Sequence, residues 1–233
     1  MKIGGNTSDT RPFDEGRVFF TNKSAHEVGR VSFVSVLVIV NFYEGVMTMQ
    51  HKGTVTLETD RLILRRFKIE DADIMYRNWA SDDEVTKFLT WPTHSSPELT
   101  KTLLSYWIKD YEKSDIYNWA IEIKDTQELI GNISVVSIVE NTSSAVLGYG
   151  MGTKWWGQGF MPEAGKAVIK YLFEEVGFNR IAANHDKNNP KSGRVMQKIG
   201  MQYEGTLRSA GFCNQGVIDD VWYSILKDEY KGE

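Results

Sequence analysis

The sequence predicts a mixed α/β fold whose sheet is antiparallel in its first part and locally parallel in its second. Apolar and polar side chains alternate along several segments of residues 60–152, which is typical of half-buried strands. Short polar turns join these strands, and connections of that length fit antiparallel neighbours. A long amphipathic helix over residues 160–177 then separates two strands, which favours a parallel pair.

One strand and two helices open the predicted domain. Asp60–Phe67 is a strand, with Leu62 and Leu64 on one face. Acidic residues favour the first turn of a helix, so a short helix is expected over residues 70–79. A capping-box pattern with proline in the first turn predicts an amphipathic helix over residues 96–113.

Three strands of an antiparallel meander follow these helices. They are predicted over residues 118–124, 129–139 and 145–152, with polar turns at 125–128 and 140–144. The long helix then runs from Phe160 to Gly177, where the glycine is a C-cap. A strand over 180–185, a helix over 191–199 and a hairpin from Met201, with its turn near Asn214–Gly216, complete the domain.

The composition is that of an ordinary globular protein. Hydrophobic residues make up 41% of the 233 residues and charged residues 25%, which excludes a disordered or collagen-like chain. The net charge of −4 argues against nucleic-acid binding, since a basic patch is needed to neutralise phosphates. Cys213, the single cysteine, cannot form an intrachain disulfide, which favours the cytoplasm. The four histidines lack metal-ligand spacing, so no metal is expected.

Residues 1–53 are predicted to be a dispensable N-terminal extension of a domain that spans residues 54–233. The apolar run Val31–Val40 is too short to span a bilayer and begins too late for an ordinary signal peptide, so no membrane partner is expected. This run is either a buried strand or part of the extension. Met47 or Met49, just ahead of the first clear strand, could be the true start.

The most informative stretch joins the third meander strand to the long helix. Gly157 and Gly159 let the backbone approach a ligand closely and adopt conformations that other residues avoid. The free amides of the first helical turn form an anion site suited to a pyrophosphate, and Pro162 leaves those amides intact. The alternative is an ordinary loop whose glycines only permit tight packing. The spacing matches neither the dinucleotide pattern nor the phosphate loop of nucleotide hydrolases.

The order of these motifs resembles the GNAT superfamily of acetyl-CoA-dependent N-acetyltransferases, and within it the RimJ/RimL ribosomal-protein branch. The phrases that carry the resemblance are Asp60-Arg-Leu-Ile-Leu-Arg, Leu129-Ile-Gly131, Leu147-Gly-Tyr149, Trp156-Gly-Gln-Gly-Phe160, Asn189-Pro-Lys-Ser192, Lys198-Ile-Gly-Met201, Glu204-Gly205 and Asp219-Asp-Val221. They cover residues 55–230. The resemblance implies a GNAT-like, mostly antiparallel sheet with helices on both faces and a splayed, locally parallel strand pair at the cofactor site.

The resemblance also implies how acetyl-CoA is bound. The family's Gln/Arg-x-x-Gly-x-Gly/Ala signature falls on residues 154–159, with lysine in its first position, and acts through backbone amides. The strand end before it would pair with the pantetheine amides, and the amide of Met151 would polarise the thioester carbonyl. The implied binding residues are Tyr149, Gly150, Met151, Lys154, Trp155, Trp156, Gly157, Gln158, Gly159, Phe160, Asn189 and Ser192. Of the paired tryptophans, one is expected in the core and one on the cleft wall.

Acetyl transfer to an amine requires a neutral amine, a stabilised oxyanion and a proton for the CoA thiolate. Many family members supply that proton from a tyrosine at the position of Met196, which cannot donate; this counts against a polyamine acceptor. In the RimL-like branch a serine has this role, and Ser192 occupies the matching place, beside Asn189. The base candidates are Glu122, Glu140, Glu163 and His185. Each could instead be an ordinary surface or structural residue, with proton loss to water.

The resemblance therefore implies an acetyltransferase acting on a primary amine, foremost the N-terminus of a protein or peptide such as a ribosomal protein. A small amine such as an aminoglycoside or amino acid is an alternative acceptor. A non-catalytic CoA-binding module is a third interpretation, which Met196 keeps open. The expected partners are acetyl-CoA and the amine, in a monomer or a homodimer.

Overall fold

The computed structural model describes residues 49–232. The predicted apolar segment Val31–Val40 and nearly all of the predicted N-terminal extension lie outside the described residues. The boundary predicted at residue 54 stays a prediction.

An eight-stranded sheet forms the centre of the described chain, in the order β1-β2-β3-β4-β5-β6-β8-β7. The pairs are antiparallel except for β5 and β6, which run parallel. The predicted mixed, mostly antiparallel sheet is therefore confirmed. The strands are β1 Leu57–Glu58, β2 Leu62–Arg65, β3 Asn118–Ile123, β4 Leu129–Val139, β5 Ser144–Met151, β6 Arg180–Asp186, β7 Gln202–Cys213 and β8 Gly216–Leu226.

The four predicted helices are present in the described chain, and an additional short helix over Asp83–Thr86 was not predicted. Within the described chain the helices are α1 Ala72–Met75, α2 Asp83–Thr86, α3 Pro97–Asp110, α4 Phe160–Tyr171 and α5 Pro190–Lys198. Ser96 caps α3 through its side chain, which accepts from the amide of Leu99, as the capping-box pattern indicates. Helix α4 continues into a π-helical turn that ends at Gly177, whose φ of +91° is the left-handed conformation of a C-cap.

Two hydrophobic cores cover the two faces of the sheet. Trp119 and Ile121 of β3 pack in the core that contains α4 and α5. Ala120, between them, packs with α1 and α3 on the other side. Because successive strand residues point to opposite faces, the helices lie on both faces of the sheet.

Strands β5 and β6 pair over only part of their lengths. Their parallel register runs from Ser144 opposite Arg180 to Leu147 opposite Ala183. Beyond Leu147, β5 continues beside β4, while β6 continues beside β8. The sheet therefore opens between residues 148–151 and 184–186. We call this gap the strand opening; it positions the candidate site.

Strand β2 begins later than predicted, at Leu62 rather than Asp60. The backbone amide of Thr59 donates to the carbonyl of Leu62, and the Leu62 amide donates to the Thr59 hydroxyl, each at 3.0 Å. These two bonds close a tight turn. Arg61 leaves the strand direction as a result and contacts helix α4 instead.

Residues 49–53 pack against the domain. The amide of Gln50 donates to the Val176 carbonyl at 2.9 Å, and the Tyr171 hydroxyl donates to the Gly53 carbonyl at 2.8 Å. Lys52 pairs with Glu175 at 2.8 Å. This segment therefore contributes contacts to the fold on the N-terminal side of residue 54.

Candidate active site

The glycine loop, residues 154–159, joins the end of β5 to helix α4. Gly157 and Gly159 have φ angles of +79° and +83°, in the left-handed region that glycine adopts without strain. Gly159 is the N-cap of α4, and no side chain caps the helix there. The first-turn amides of α4 have no acceptor within the helix, and the space beside Gly157 is open for 4 Å. This helix end can bind an anion.

Arg61 and Glu163 hold the glycine loop in place. Arg61 donates to the carboxylate of Glu163 at 2.6 and 2.7 Å and to the carbonyl of Gln158 at 3.2 Å. Its guanidinium stacks 4.3 Å above the ring of Phe160. Burial alone would raise the pKa of Glu163, but hydrogen bonds from Thr59 and Arg61 lower it overall. Glu163 is therefore held as a carboxylate that orders the loop.

The two adjacent tryptophans have different surroundings. Trp155 is buried in the core, and its ring fills the space in which a side chain at Gly152 would lie. Trp156 is half-buried; its indole nitrogen donates to the Met151 carbonyl at 2.7 Å. Lys191 of α5 lies 4.4 Å above the Trp156 ring. Trp156 thus connects the glycine loop to both β5 and α5. Lys154 lies over the ring of Trp155 at 4.9 Å.

The edge of β5 that faces the strand opening carries backbone groups that do not pair with β6. The amide of Gly152 donates to Ile130 on the β4 side at 3.0 Å. Since the backbone groups of successive residues in a strand point to opposite edges, those of Gly150 face β4 as well. Those of Tyr149 and Met151 face the opening. The Met151 carbonyl is occupied by Trp156, which leaves the Met151 amide directed into the opening.

On the other side of the opening, α5 brings Ser192 towards β5. The hydroxyls of Ser192 and Tyr149 lie 2.8 Å apart. Asn189 is the N-cap residue of α5, but its side chain makes no cap hydrogen bond. Met196, one turn beyond Ser192, is 1% exposed and belongs to the core. The structure therefore brings Tyr149, Ser192 and Asn189 to one end of the opening.

Comparison with known proteins decides the family. A protein-family model described as an acetyltransferase (GNAT) domain matches residues 61–202, which is more than half of the chain. The chain belongs to the GNAT acetyltransferase family. The family predicted from the motifs is confirmed, and the protein is an N-acetyltransferase that uses acetyl-CoA.

Relatives and solved structures agree with this assignment. The N-acetyltransferase p20 of Bacillus licheniformis is 34% identical over 178 residues, which cover 76% of this chain and 99% of that protein. The ribosomal protein uS5-alanine N-acetyltransferase of Escherichia coli is 29% identical over 157 residues, 65% of this chain and 80% of that protein. The crystal structure of a GNAT acetyltransferase from Bacillus anthracis has a TM-score of 0.66 and 25% identity, covering 75% of this chain and 99% of that one.

The site of this GNAT protein fits acetyl-CoA. The uncapped N-terminus of α4 and the open side of Gly157 suit the diphosphate of the ligand. The free edge of β5 can pair with the amides of the pantetheine arm as a strand would. Within residues 49–232, no group of three or more His, Cys, Asp or Glu side chains is placed to hold a metal ion. None of the helices between residues 49 and 232 has both the length and the apolar composition that a membrane span requires.

The acetyltransferase places its base candidates in different surroundings. Glu122 accepts from Arg65 at 2.7 Å and lies on β3, which β4 separates from the opening. Glu140 accepts from His51 at 3.0 Å and lies in the turn before β5, at the end of that strand opposite the glycine loop.

His185 lies at the end of β6, against α5. Its Nδ1 is 2.7 Å from the carbonyl of Asp186, and because a carbonyl only accepts, Nδ1 carries the proton. The Nε2 atom faces α5 at Gly193, where an added side chain would lie 2.6 Å away. Nε2 has no hydrogen-bond partner in the described chain. Of the four candidates, His185 is therefore the one adjacent to the helix that carries Ser192.

Sequence reasoning missed the contacts that assemble the acetyltransferase site. Arg61 and Tyr149 both belong to sequence motifs that carry the family resemblance, but those motifs do not indicate their hydrogen-bond partners. The pairs Arg61–Glu163 and Tyr149–Ser192 are separated by 102 and 43 residues. Only the order of the strands brings them together.

Proposed function

We propose that this acetyltransferase transfers the acetyl group of acetyl-CoA to the N-terminal amine of a protein or peptide. The observation that carries the acceptor class is its similarity to the Escherichia coli enzyme named for a ribosomal-protein alanine, which spans 80% of that enzyme. A ribosomal protein N-terminus is accordingly the first acceptor to test. The absence of a tyrosine at Met196 supports this class over polyamines.

In the proposed mechanism the chain binds the diphosphate through the backbone amides of the glycine loop. Acetyl-CoA supplies an acetyl group activated as a thioester. The Met151 amide, directed into the strand opening, donates to the acetyl carbonyl oxygen. Asn189, at the start of α5, lines the same end of the opening. Ser192 donates a hydrogen bond to the sulfur as it leaves.

We propose His185 as the group that accepts a proton from the amine. Its Nε2 lone pair is free in the described chain, whereas Glu122 and Glu163 are each engaged by an arginine. An imidazole nitrogen with a free lone pair can accept a proton, which suits a base for an amine. The alternative is that the amine loses its proton to water. An unchanged acetyl-transfer rate in His185→Gln would support that alternative over His185.

The acceptor class is tested with three kinds of substrate in an acetyl-CoA turnover assay. The first is a peptide with a free N-terminus and an internal lysine; the second is the same peptide with a blocked N-terminus; the third is a set of aminoglycosides and amino acids. Turnover of the free peptide, with the acetyl group located on its N-terminus by mass spectrometry, is expected. Turnover of small amines alone, or equal turnover of the blocked peptide, would refute the proposal.

We also propose a cytoplasmic location. Cys213, the only cysteine of the sequence, is buried and unpaired, which suits a reducing compartment.

A further inference from the structure

Tyr149 and Ser192 form a hydroxyl pair across the strand opening. Tyr149 lies on β5, two residues beyond Leu147, where the pairing with β6 ends. Its hydroxyl lies 2.8 Å from the hydroxyl of Ser192 and 3.1 Å from the carbonyl of the same residue. The phenol is therefore held by helix α5 at two atoms. Ser192 occupies the third position of α5 and, like Tyr149, is half-buried.

The direction of the proton in this pair decides what Ser192 can do. Each hydroxyl has one proton and two lone pairs. If Tyr149 donates to the Ser192 carbonyl, the serine proton can point back to the phenol oxygen. In that orientation it cannot form a hydrogen bond with a bound ligand. If Tyr149 donates to the serine Oγ, the serine proton points away from the phenol. The second arrangement removes the phenol oxygen as a competing acceptor and so favours donation by Ser192 to a group bound in the opening.

We infer that Tyr149 is a positioning residue that donates its hydroxyl proton to Ser192 Oγ and thereby directs the serine proton to the CoA sulfur. The inference rests on the role proposed above for Ser192. It assigns the tyrosine a task different from binding the pantetheine arm through its backbone. It also accounts for a donor at this end of the opening although position 196 is a methionine.

The proton count shows what the pair can and cannot supply. When the new C–N bond forms and the C–S bond breaks, the electron pair of that bond stays on sulfur as a thiolate. Ser192 shares its proton with this sulfur in a hydrogen bond, and the amine proton leaves to the base or to water. The thiolate takes its final proton from solvent. Burial raises the pKa of the Tyr149 phenol, so the tyrosine keeps its own proton throughout.

The first test measures the thiol of CoA bound to the protein, without turnover. The thiolate absorbance of bound CoA is titrated with pH against the same protein holding desulfo-CoA. A hydrogen bond donated to the thiolate lowers the pKa of that thiol. Tyr149→Phe is expected to raise this pKa by about 0.4 to 1, the size of one ordinary hydrogen bond. Ser192→Ala should raise it at least as much, and the double variant no more than Ser192→Ala.

Tyr171→Phe is the matched control. Tyr171 is likewise a hydrogen-bonded phenol: it donates to the carbonyl of Gly53 at 2.8 Å, and it lies in α4 away from the opening. Both tyrosine variants should lose a few degrees of melting temperature from one missing hydrogen bond. Only Tyr149→Phe should change the thiol pKa. It should also lower kcat by about threefold to tenfold while the Kd for acetyl-CoA stays unchanged.

Three results would overturn the inference: a wild-type thiol pKa in Tyr149→Phe, effects of the two variants that add in the double variant, or an equal change in Tyr171→Phe. If Ser192→Ala alone leaves the thiol pKa and kcat unchanged, the role of Ser192 fails and this inference fails with it. If both variants behave as expected but only small amines are acetylated, the acceptor proposal fails and the hydroxyl pair stands.

Should Tyr149→Phe not fold, 3-fluorotyrosine at position 149 provides the same test, because it keeps the shape of the ring and is a stronger donor. It should lower the thiol pKa, and an unchanged value would count against the hydroxyl pair.

Discussion

Replacing Gly159 with alanine is the sharpest test of the glycine loop. Gly159 has a φ of +83°, and an L-residue in this conformation costs about 1–2 kcal/mol of stability. The added Cβ would meet Nη2 of Arg61 at 3.5 Å, which is ordinary van der Waals contact. The variant should therefore fold with a modest loss of stability and without a clash inside the protein.

The same methyl group stands at the uncapped end of α4, where we place the diphosphate. A hydrogen bond to a charged group contributes about 1.5–3 kcal/mol, so the loss of one amide contact should weaken acetyl-CoA binding about 10- to 150-fold. Gly159→Asp adds a negative charge against the phosphates and should abolish measurable binding. Both values come from isothermal titration calorimetry, with folding checked by thermal unfolding.

Gly216→Ala is the control for backbone strain. Gly216 has a φ of +99°, nothing lies within 4 Å of its added Cβ, and it is the first residue of β8, directly after the turn from β7. It should lose a similar amount of stability and bind acetyl-CoA like the unmodified protein. If Gly159→Ala is folded and its Kd equals that of the unmodified protein, the diphosphate does not lie at this helix end and the reasoning fails.

Three further outcomes are expected. Ser192→Ala should lower kcat about 10- to 150-fold, the size of one hydrogen bond to a charged group, with little change in acetyl-CoA affinity. A variant that melts earlier but turns over normally would leave Ser192 a structural role only. A chain that starts at Met49 should have the melting temperature and the acetyl-CoA affinity of the full chain. A chain that starts at Thr54 should melt at a lower temperature, because it lacks the contacts of residues 49–53. A lower melting temperature for the Met49 chain would make the preceding segment part of the fold. Hydrogen bonds from Arg180 and Ser224 lower the pKa of Glu204 to about 2, below its unfolded value. The contribution of Glu204 to stability is therefore complete at a pH above its pKa in the unfolded chain and is lost as the pH falls towards 2. Glu204→Gln should make the melting temperature fall less steeply between about pH 5 and pH 2. A fall as steep as that of the unmodified protein would contradict this.

Much of the fold follows from local patterns in the sequence. Strand β4 begins and ends where the sequence predicts, at residues 129 and 139, because polar turns bound it on both sides. The parallel pair β5–β6 follows from the long helix between the two strands, since a short turn cannot join parallel neighbours. The beginning of β2 could not be predicted, because it depends on the side chain of Thr59 and on a contact between Arg61 and a helix about a hundred residues away.

The candidate site, like the fold, could be predicted from the sequence only in part. The glycine loop is visible in the sequence because its conformational requirement is local to Gly157 and Gly159. The partners of Arg61 and Tyr149 are not visible, since they depend on the strand order and on where β5 and β6 separate. The apolar periodicity of the sequence does not indicate where β5 and β6 separate.

The position of Met196 shows why a motif and a site can disagree. Residues four apart on a helix share one face, so Ser192 and Met196 both point from α5 towards the sheet. Met196 reaches the core, where its thioether is 1% exposed and has no proton to donate. Ser192, one turn nearer the start of the helix, meets a phenol that comes from strand β5 instead. A hydroxyl donor at this place therefore does not require a tyrosine on α5, and the methionine is not by itself an argument against catalysis.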